Sequence, residues 1–458
     1  MTAHETTLCI LGASGDLTSR LLLPALGQLL TDEPERRVRL VGAGIDEWDD
    51  AQWRAVVTDA FAAAGATGKT ANAVREHAVY RRTDITDPED LAGLLADHPG
   101  TIALYFAVPP AVAAKACTAM ESLTLPEGLI LALEKPFGTD EASARELNEQ
   151  LARLVPEERV HRVDHFLGRS TVLNVLGLRF ANRVFEPVWS HEHVESVTIR
   201  YDETLGLEDR AGYYDKAGAL VDMIQSHLLQ VLSIVAMEPP ATLDAHDFRE
   251  AKAKVLGATS VLDHDPERNS RRARYTAGTI DGRALPSYVD EGGVDPSRET
   301  ETLAEVTFQV ATERWAGVPF ALRSGKGLGH KHSEIVLRFR QVEHLPTGFD
   351  GSTDPSVLRL SLGPDRMSLE VNLNGPGDPF HLDRAALEAE FGEGARRAYS
   401  EVLSGVLDGD PSLSVRGDTA ERCWHIVQPV LDAWSSGGVP LEEYAAGSSG
   451  PADWPRSD

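Results

Sequence analysis

Residues 6–16 of the chain read Thr-Thr-Leu-Cys-Ile-Leu-Gly-Ala-Ser-Gly-Asp, and this stretch decides the fold of the N-terminal domain. The apolar run 6–11 predicts a buried strand, and residues 12–15 predict the turn that follows it. Residues 17–30 carry leucines at helical spacing. In a doubly wound sheet, such a turn lets the backbone approach the phosphates of a dinucleotide at a helix N-terminus. Because Ile10 replaces the first glycine of the GxGxxG pattern, a plain strand-to-helix turn stays open as an alternative.

Strand and helix patterns continue to alternate after this turn. Residues 36–44, 101–108 and 128–133 predict further strands, and residues 49–64 and 110–121 predict helices. Alternation of this kind is typical of a parallel sheet with helices on both faces. We therefore expect a Rossmann-type, doubly wound dinucleotide-binding domain over residues 1–175.

The pattern changes at about residue 176, where strand patterns begin to follow one another without helices between them. These patterns cover residues 194–201, 303–311, 319–323, 334–342, 357–362 and 367–372. Helical patterns cover 217–236 and 385–407, and the polar, turn-rich residues 263–300 predict a surface excursion. We expect a larger α+β domain over residues 176–458, built on a mainly antiparallel sheet.

The composition limits the classes of partner. The 458 residues include 71 Asp and Glu but only 44 Lys and Arg, so the formal net charge is −27. A field of this sign repels phosphate backbones, so we expect neither nucleic acid nor a membrane as a partner. No apolar run reaches the roughly 18 residues of a membrane span, and no signal peptide is evident. The three widely spaced cysteines argue against a disulfide framework and indicate a cytoplasmic protein.

The end of the second predicted strand bears on the choice of coenzyme. Asp46 and Glu47 follow this strand, and no basic residue lies between Val41 and Arg54. A carboxylate at this position can accept hydrogen bonds from a ribose hydroxyl, whereas a 2′-phosphate requires a cation. The pattern favours NAD over NADP. The alternative is that the two carboxylates simply begin a solvated turn.

Several motifs further along the chain resemble the glucose-6-phosphate dehydrogenase family. They are residues 134–138 (Glu-Lys-Pro-Phe-Gly), 162–168 (Arg-Val-Asp-His-Phe-Leu-Gly), 225–230 (Gln-Ser-His-Leu-Leu-Gln), 317–320 (Gly-Val-Pro-Phe), 323–326 (Arg-Ser-Gly-Lys) and 424–429 (Trp-His-Ile-Val-Gln-Pro). Together with the GASGDL turn, they follow the family's order along nearly the whole chain. The resemblance implies oxidation of C1 of glucose 6-phosphate, or a closely related hexose phosphate, to the 6-phosphogluconolactone. The hydride acceptor implied is NAD or NADP.

The resemblance also implies the catalytic pair. It places the family's general base at His227 and the carboxylate that orients this base at Asp164. A neutral imidazole suits the role of base because its pKa lies near the working pH, and a carboxylate can fix its tautomer. Without the resemblance, a histidine in an apolar helical pattern is better explained as a core or interface residue.

The binding residues are implied in the same way. The substrate positions are Lys135, His165, Phe166, Arg169, Glu208, Asp215, Lys326 and Lys331, and the coenzyme positions are Gly12, Ser14, Gly15, Asp16, Leu17, Asp46 and Lys135. Phe166 and Arg169 stand where the family has tyrosine and lysine, so one hydroxyl is lost while the positive charge is kept. Ser19, Val221 and Ser226 are further departures around the sugar. Without the resemblance, each charged position is explained as a solvated surface charge.

These departures leave two other functions open. One is the same chemistry on a free hexose, or on a hexose with another C6 substituent such as a sulfonate. The other is a non-catalytic sensor of coenzyme or sugar phosphate, which the retention of His227 and Asp164 disfavours. The triplets at 191–193 (His-Glu-His) and 330–332 (His-Lys-His) lack the HExxH spacing, so we expect no metal. The resemblance further implies that residues 176–458 form a substrate-binding and dimerisation domain, and that the protein is a homodimer or homotetramer.

Overall fold

The computed structural model describes residues 5–96, 100–208, 211–363, 366–390 and 397–454. Its chain forms two compact units. The first consists of Met1–Arg169, Pro240–Ala253 and Ala395–Arg422, and the second of Ser170–Pro239, Lys254–Gly394 and Cys423–Asp458. The division differs from the single boundary at residues 175 and 176 that the sequence predicts, because two later segments return to the first unit.

The first unit is built around a parallel sheet. Its strands are β1 (Thr6–Leu11), β2 (Val38–Gly44), β3 (Val79–Arg82), β4 (Thr101–Phe106), β5 (Leu129–Glu134) and β6 (Val160–Val163). Its helices are α1 (Leu23–Asp32), α2 (Asp50–Ala63), α3 (Lys69–His77), α4 (Pro88–Ala96), α5 (Pro110–Met120) and α6 (Glu141–Leu154). The strand order β3-β2-β1-β4-β5-β6 is that of a dinucleotide-binding fold. The predicted Rossmann-type sheet is confirmed.

Alternate residues of β1 face two separate hydrophobic cores. Leu8 and Ile10 belong to the core that includes residues of α1, α2 and α3, whereas Cys9 and Leu11 belong to the core with α4, α5 and α6. Successive side chains of a strand point to opposite faces of its sheet. The continuous apolar run of β1 is therefore what a sheet covered by helices on both faces requires.

The second unit contains an eleven-stranded mixed sheet. In chain order its elements include α7 (Ser170–Phe180), β7 (Val194–Asp202), α8 (Ala211–Ala219), α9 (Leu229–Ala236), α10 (Ala245–Ala258, which begins in the first unit), β8 (Thr259–Val261), α11 (Pro266–Asn269), β9 (Ser270–Thr276), β10 (Gly278–Ile280), β11 (Arg283–Leu285), β12 (Leu303–Val310), β13 (Pro319–Gly325), β14 (His332–Phe339), β15 (Asp350–Gly351), β16 (Val357–Ser361), β17 (Arg366–Asn374) and β18 (His381–Glu390). Strands β10 and β11 form a separate hairpin.

The last elements are divided between the two units. They are α12 (Ala398–Asp408), β19 (Ser414–Val415), α13 (Gly417–Ser435) and β20 (Leu441–Ala445). Strand β19 pairs antiparallel with β6 and so extends the sheet of the first unit, whereas β20 pairs with β9 in the large sheet. The large sheet runs β15-β18-β17-β16-β14-β7-β13-β12-β9-β20, with β8 beside β12. Among the described strands of the large sheet, only the β7–β13, β9–β20 and β15–β18 pairs are parallel, which confirms the mainly antiparallel sheet.

One helical segment, Ala211–Ala236, is long and apolar enough to cross a membrane by length and composition alone. Its most apolar window is 83% buried within the folded chain, as is usual for the core helix of a globular unit. Between α8 and α9 the segment is π-helical over Leu220–Leu228. This π-helical stretch contains His227, the residue that the family resemblance assigns as the general base.

Two predicted segments are wrong. Residues 263–300 do not form a surface excursion, because β9 pairs with β12 inside the large sheet. The polar composition is misleading there, since Arg272 is buried and its guanidinium donates to the carbonyl oxygens of Val439 and Trp434. Residues 385–407 do not form one helix either. Their first part belongs to β18, and helix α12 begins only at Ala398.

Candidate active site

The glycine turn after β1 approaches the end of β4 closely. Gly12 has a φ of +89°, and a Cβ atom there would lie 2.4 Å from the carbonyl oxygen of Ala107. Only glycine accommodates both conditions. The Thr18 hydroxyl and the Gly15 amide each donate to the Gly12 carbonyl at 3.0 Å, which holds the turn in front of a helical stretch. The turn therefore has the form expected of a phosphate-binding loop.

The other predicted coenzyme residues lie around this turn. Ser14 Oγ donates to Asp46 Oδ2 at 2.5 Å and so connects the turn to the end of β2. Asp16 forms an exposed ion pair with Arg20, and Leu17 packs against the core beside α1. The turn and the Asp46 carboxylate therefore fit a dinucleotide, because they lie at the carboxyl ends of β1 and β2, where this fold binds one.

Lys135 follows the end of β5, at the same carboxyl edge of the sheet. The peptide between Lys135 and Pro136 is cis. The preceding residue, Glu134, accepts a hydrogen bond from Tyr105 Oη at 2.5 Å. Burial raises the pKa of the Glu134 carboxyl to about 7, although hydrogen bonds from Tyr105 and Tyr399 and the charge of Lys135 oppose the rise.

The predicted phosphate anchor follows β6 in the first unit. Asp164 is buried, and its Oδ1 accepts a hydrogen bond from the amide of Phe166 at 2.9 Å. The ring of His165 stacks on Tyr399, with 5.5 Å between the centroids. Phe166 is buried and lies under Arg169, whose guanidinium carbon is 3.9 Å from the ring centroid. Phe166 is thus a support for the Arg169 cation, and no hydroxyl is presented at this position.

His227 lies in the second unit, on the π-helical stretch Leu220–Leu228, and is 1% exposed. In a π-helix the backbone hydrogen bonds join residues five positions apart. Asp222 precedes His227 by five positions and therefore lies on the same face of the stretch. Asp222 is a candidate that sequence reasoning missed, because the π-helical register that gives the five-residue spacing its meaning is seen only in the structure.

A kink fixes the start of the π-helical stretch. Gly218 has a φ of +66°, and a Cβ atom there would lie 2.3 Å from Glu301 Oε1. The same Oε1 accepts a hydrogen bond from the amide of Leu220 at 2.9 Å. Burial raises the pKa of Glu301 to about 7. The direction of the stretch that holds His227 thus depends on one glycine and one buried carboxyl group.

Asp215 has a structural role that contradicts the predicted sugar contact. It is 1% exposed, and both of its carboxylate oxygens are bonded within the protein. Tyr288 Oη donates to one oxygen at 2.8 Å, and the amide of Asp295 donates to the other at 3.0 Å. Arg298 forms an ion pair with the same carboxylate. The sequence shows a carboxylate near the histidine helix but not that these loop residues surround it.

The role of Glu208 in sugar binding stays a prediction. Glu208 is paired with Arg283 at 2.8 Å on the surface of the second unit. Glu203 instead accepts a hydrogen bond from Lys326 Nζ at 2.6 Å. The two residues meet because β7 and β13 are parallel neighbours whose carboxyl ends adjoin. Lys331, the other predicted substrate cation, is exposed in the loop before β14.

Comparison with protein-family models identifies both parts of the chain. Residues 9–174 match the model described as "Glucose-6-phosphate dehydrogenase, NAD binding domain". Residues 176–456 match the model described as "Glucose-6-phosphate dehydrogenase, C-terminal domain". The two matches together cover nearly the whole chain.

Individual proteins show the same likeness. The glucose-6-phosphate 1-dehydrogenases of Gluconobacter oxydans (strain 621H) and Rhizobium meliloti (strain 1021) are 38% and 36% identical to the chain. These alignments cover 96% and 97% of the chain and 94% of each relative. A structure titled "Glucose-6-phosphate dehydrogenase in complex with its substrate glucose-6-phosphate" matches with a TM-score of 0.86 at 29% identity, over 98% of the chain and 96% of that protein.

The glucose-6-phosphate 1-dehydrogenase structure from Mycobacterium avium matches with a TM-score of 0.85 at 32% identity, over 97% of the chain and 95% of that protein. Fold, motif order and full-length identity all agree. The chain belongs to the glucose-6-phosphate dehydrogenase family of NAD(P)-dependent oxidoreductases.

Proposed function

We propose that this chain oxidises C1 of glucose 6-phosphate to the 6-phosphogluconolactone. The observation that carries the proposal is His227, a buried imidazole held on the π-helical stretch of a chain that matches the family over its full length. A sensor needs no buried base at this point of the helix. The non-catalytic sensor is therefore not favoured, and the names of the relatives favour glucose 6-phosphate over the other hexoses.

His227 takes the proton of the C1 hydroxyl in this proposal, and Asp164 orients the imidazole and stabilises the imidazolium that forms. The pairing of these two residues stays a prediction from the family resemblance. The nicotinamide ring of the coenzyme, when bound, supplies the acceptor for the hydride from C1. The chain's own contribution is to hold the proton acceptor and the sugar.

The binding roles can be proposed unit by unit. In the first unit, His165 and Arg169 bind the phosphate, and Arg169 offers a planar fork that suits phosphate oxygens. Lys135 lies at the strand edge where ligands of this fold bind. In the second unit, Asp222 and Glu203 accept sugar hydroxyls, and Lys326 and Lys331 supply positive charge. Asp222 and Glu203 replace Asp215 and Glu208 of the sequence prediction.

A kinetic matrix tests the proposal. The purified chain is assayed at 340 nm with NAD and with NADP against glucose, glucose 6-phosphate and a sulfonated glucose. We expect kcat/KM for glucose 6-phosphate to exceed that for glucose by roughly 10³ or more, since several charge-assisted hydrogen bonds are lost with the phosphate. Comparable values for the free sugar would support the alternative substrate. No reduction of either coenzyme would overturn the proposal.

His227→Ala supplies the corresponding test of the base. We expect kcat to fall by about 10² to 10⁴, with coenzyme binding retained, because a general base contributes rate enhancements of this size. His330→Ala is the matched control, since His330 is an exposed histidine of the same unit. Equal effects of the two substitutions would argue against catalysis by His227.

For the coenzyme we propose a preference for NAD. Asp46 lies at the end of β2 with its carboxylate bonded to Ser14, and Ile45 beside it is 70% exposed. Arg82 of the neighbouring strand is paired with Glu47 at 2.9 Å. A 2′-phosphate would meet a carboxylate here. We expect Ile45→Arg combined with Asp46→Ser to shift the ratio of kcat/KM towards NADP, and an unchanged ratio would refute the preference.

For the assembly we propose a homodimer formed through one face of the large sheet. Leu369, Val371 and Leu373 alternate along β17, and Leu387 lies opposite Leu369 in the antiparallel register. Leu373 and Leu387 are 50% and 55% exposed, so this apolar face is open in the single chain. Exposed apolar patches of this kind are typical of protein interfaces.

The dimer can be tested by light scattering. Leu387→Glu is expected to reduce the mass from that of a dimer to that of a monomer. Leu243→Glu is the matched control, because Leu243 is equally exposed but belongs to the first unit. A monomeric parent chain, or dissociation in the control alone, would refute this assignment. We also propose a cytoplasmic location, consistent with three buried cysteines that form no disulfide among the described residues, and cell fractionation tests it.

A further inference from the structure

The loop between β13 and β14, residues 326–331, contains both cations that the proposed function assigns to the second unit. Lys326 begins this substrate loop and Lys331 ends it. Residues 444–450, the last two of β20 and the five that follow, lie against the loop and are called the β20 segment. Tyr444 follows Lys326 by 118 positions, so only the folded chain brings the loop and the segment together.

The hydroxyl group of Tyr444 holds the main chain of Lys326. Tyr444 is 4% exposed, and its Oη donates to the carbonyl oxygen of Lys326 at 2.6 Å. A phenol has one proton to give, so the Thr302 hydroxyl, 2.8 Å away, donates to Tyr444 in turn. The carbonyl oxygen of Thr302 accepts a hydrogen bond from the amide of Lys326 at 2.8 Å. Both backbone polar groups of Lys326 are therefore bonded to the pair formed by Thr302 and Tyr444.

Two further hydrogen bonds fasten the β20 segment to the middle of the loop. The amide of Gly447 donates to the carbonyl oxygen of Gly327, and the amide of Gly329 donates to that of Ser448, each at 2.8 Å. The backbones are so close that a Cβ atom at Gly329 would lie 2.3 Å from the carbonyl oxygen of Gly447. The segment thus determines the path of the loop over several consecutive residues.

The ammonium group of Lys326 is held separately from its main chain. Its Nζ donates to Glu203 Oε2 at 2.6 Å and lies 5.3 Å from the centroid of the Tyr214 ring. A cation over an aromatic face is attracted to it, and a charge-assisted hydrogen bond adds direction. These contacts form only if the main chain at Lys326 lies at the right distance from Glu203 and Tyr214. The bonds from the β20 segment meet that condition.

We propose that the β20 segment positions the substrate loop, with the Tyr444 hydroxyl as the positioning group for Lys326, and that it thereby controls the affinity for glucose 6-phosphate. The inference rests on the proposed function, in which Lys326 supplies positive charge to the substrate. Tyr444 acts through Lys326 and not on the reacting atoms. Its loss should therefore weaken substrate binding without slowing the chemical step.

Tyr444→Phe tests the role of the hydroxyl group alone, because the ring is kept. We expect the KM for glucose 6-phosphate to rise about three- to tenfold, the range of one hydrogen bond, with kcat and the KM for coenzyme nearly unchanged. Tyr275→Phe is the matched control. Tyr275 pairs with Tyr444 across β9 and β20 and is 1% exposed, but its hydroxyl donates to Glu291 at 2.7 Å. The control should change the melting temperature without raising this KM.

A double-mutant cycle shows whether Tyr444 acts through Lys326. Lys326→Met removes the positive charge and should itself raise the KM for glucose 6-phosphate. In that background, Tyr444→Phe should raise the KM no further, because the group that it positions is gone. A full additional rise would mean that Tyr444 acts independently of Lys326 and would overturn the inference.

A glycine variant provides a second route if Tyr444→Phe does not fold. Gly329→Ala places a Cβ atom against the carbonyl oxygen of Gly447 and should push the β20 segment away from the loop. We expect a higher KM for glucose 6-phosphate and little change in kcat. Gly292→Ala is the control in the same unit, because a Cβ atom there meets nothing within 4 Å. Equal KM values in Gly329→Ala and Gly292→Ala would contradict the positioning of the loop.

The outcomes separate this inference from the proposed function. A parent enzyme inactive towards glucose 6-phosphate would overturn the proposed function. In an active parent, a lower melting temperature of Tyr444→Phe with an unchanged KM would show a purely structural hydroxyl and overturn the inference alone. An equal rise of KM in Tyr444→Phe and Tyr275→Phe would do the same. A rise confined to Tyr444→Phe and absent from the Lys326→Met background supports the inference.

Discussion

Lys326 Nζ and Glu203 Oε2 lie 2.6 Å apart at the adjoining ends of β13 and β7. Both side chains are mostly buried, with 16% and 23% of their surfaces exposed. A charge-assisted bond in such surroundings fixes the ammonium more firmly than a surface pair does. Glu203 thus positions one of the cations that the proposed substrate requires.

Glu203→Gln should therefore raise the KM for glucose 6-phosphate by about tenfold, because a hydrogen bond to a charged group contributes roughly 1.5–3 kcal/mol. We expect kcat to change less than KM. Glu208→Gln is the matched control, since Glu208 is paired with Arg283 at the surface. Steady-state kinetics on both variants measure this difference. An equal rise of KM in Glu203→Gln and Glu208→Gln would contradict the positioning role of Glu203.

Asp222 and Asp215 should respond in opposite ways to the same substitution. Asp222→Asn is expected to lower kcat/KM by about 10², because the carboxylate shares a helix face with the base, and to leave the melting temperature nearly unchanged. Asp215→Asn removes the buried carboxylate that pairs with Arg298, which keeps only the longer contact with Asp295 at 3.7 Å, and should cost about 1–3 kcal/mol of stability. Calorimetry and kinetics on the pair provide the measurement. A loss of kcat/KM in Asp215→Asn but not in Asp222→Asn would contradict the proposal that Asp222 serves the site and Asp215 serves stability.

The support of Arg169 by Phe166 can be measured by a double-mutant cycle. Phe166→Leu removes the ring that lies 3.9 Å from the guanidinium carbon and should raise the KM for glucose 6-phosphate several-fold, since such contacts contribute about 1 kcal/mol. Phe166→Tyr keeps the ring and should cost little. Combined with Arg169→Ala, the Leu substitution should have no further effect. Additive effects would show that the two side chains act independently.

Gly218→Ala should damage both stability and activity. The substitution strains a backbone with a φ of +66° and places a Cβ atom 2.3 Å from Glu301 Oε1. Backbone strain of this kind costs about 1–3 kcal/mol before the collision is counted. Gly212→Ala is a suitable control, because a Cβ atom there meets nothing within 4 Å. The melting temperature and kcat of the two variants test this prediction. If Gly218→Ala changed neither quantity, the kink at Gly218 would not be needed for stability or activity.

Stability should fall as the pH rises towards neutrality through the contribution of Glu301. Its folded pKa, about 7, lies above the ordinary value of 4.5. Between these two values the folded chain binds a proton that the unfolded chain has lost, so stability decreases as pH increases through this window. The contribution is at most about 3 kcal/mol. Glu301→Gln should flatten the dependence of the melting temperature on pH between 5 and 7, and an unaltered slope would refute this origin.

The sequence indicates the first unit well because its signals are local. The apolar run of β1 and the turn at Gly12 are adjacent in the chain, and a parallel sheet requires both. The motifs that contain Asp164, Lys135 and His227 can likewise be found from the sequence, although the roles of these residues stay predictions from the family resemblance. What they contact within their units depends on elements far along the chain, such as the start of α12 at Ala398.

The carboxylates of the second unit show why the residues proposed to bind the sugar could not all be predicted from the sequence. Asp215 and Asp222 both precede the histidine closely, and choosing between them requires the π-helical register and the loop that surrounds Asp215. Glu203 and Lys326 are separated by 123 positions and meet only through the pairing of two strands. Local patterns carry no information about such pairings, and the family resemblance pointed to Glu208 instead of Glu203.

The return of α12 and β19 to the first unit has a consequence for synthesis on the ribosome. The hydroxyl of Thr6, in the first strand to be made, donates to the carbonyl oxygen of Leu407, 401 positions later. At roughly 5–20 residues per second, these partners emerge about 20–80 s apart. During that interval the edge of β6 has no β19 to cover it. The nascent protein therefore spends most of its production time with its earliest sheet unfinished, a period in which a chaperone would be of most use.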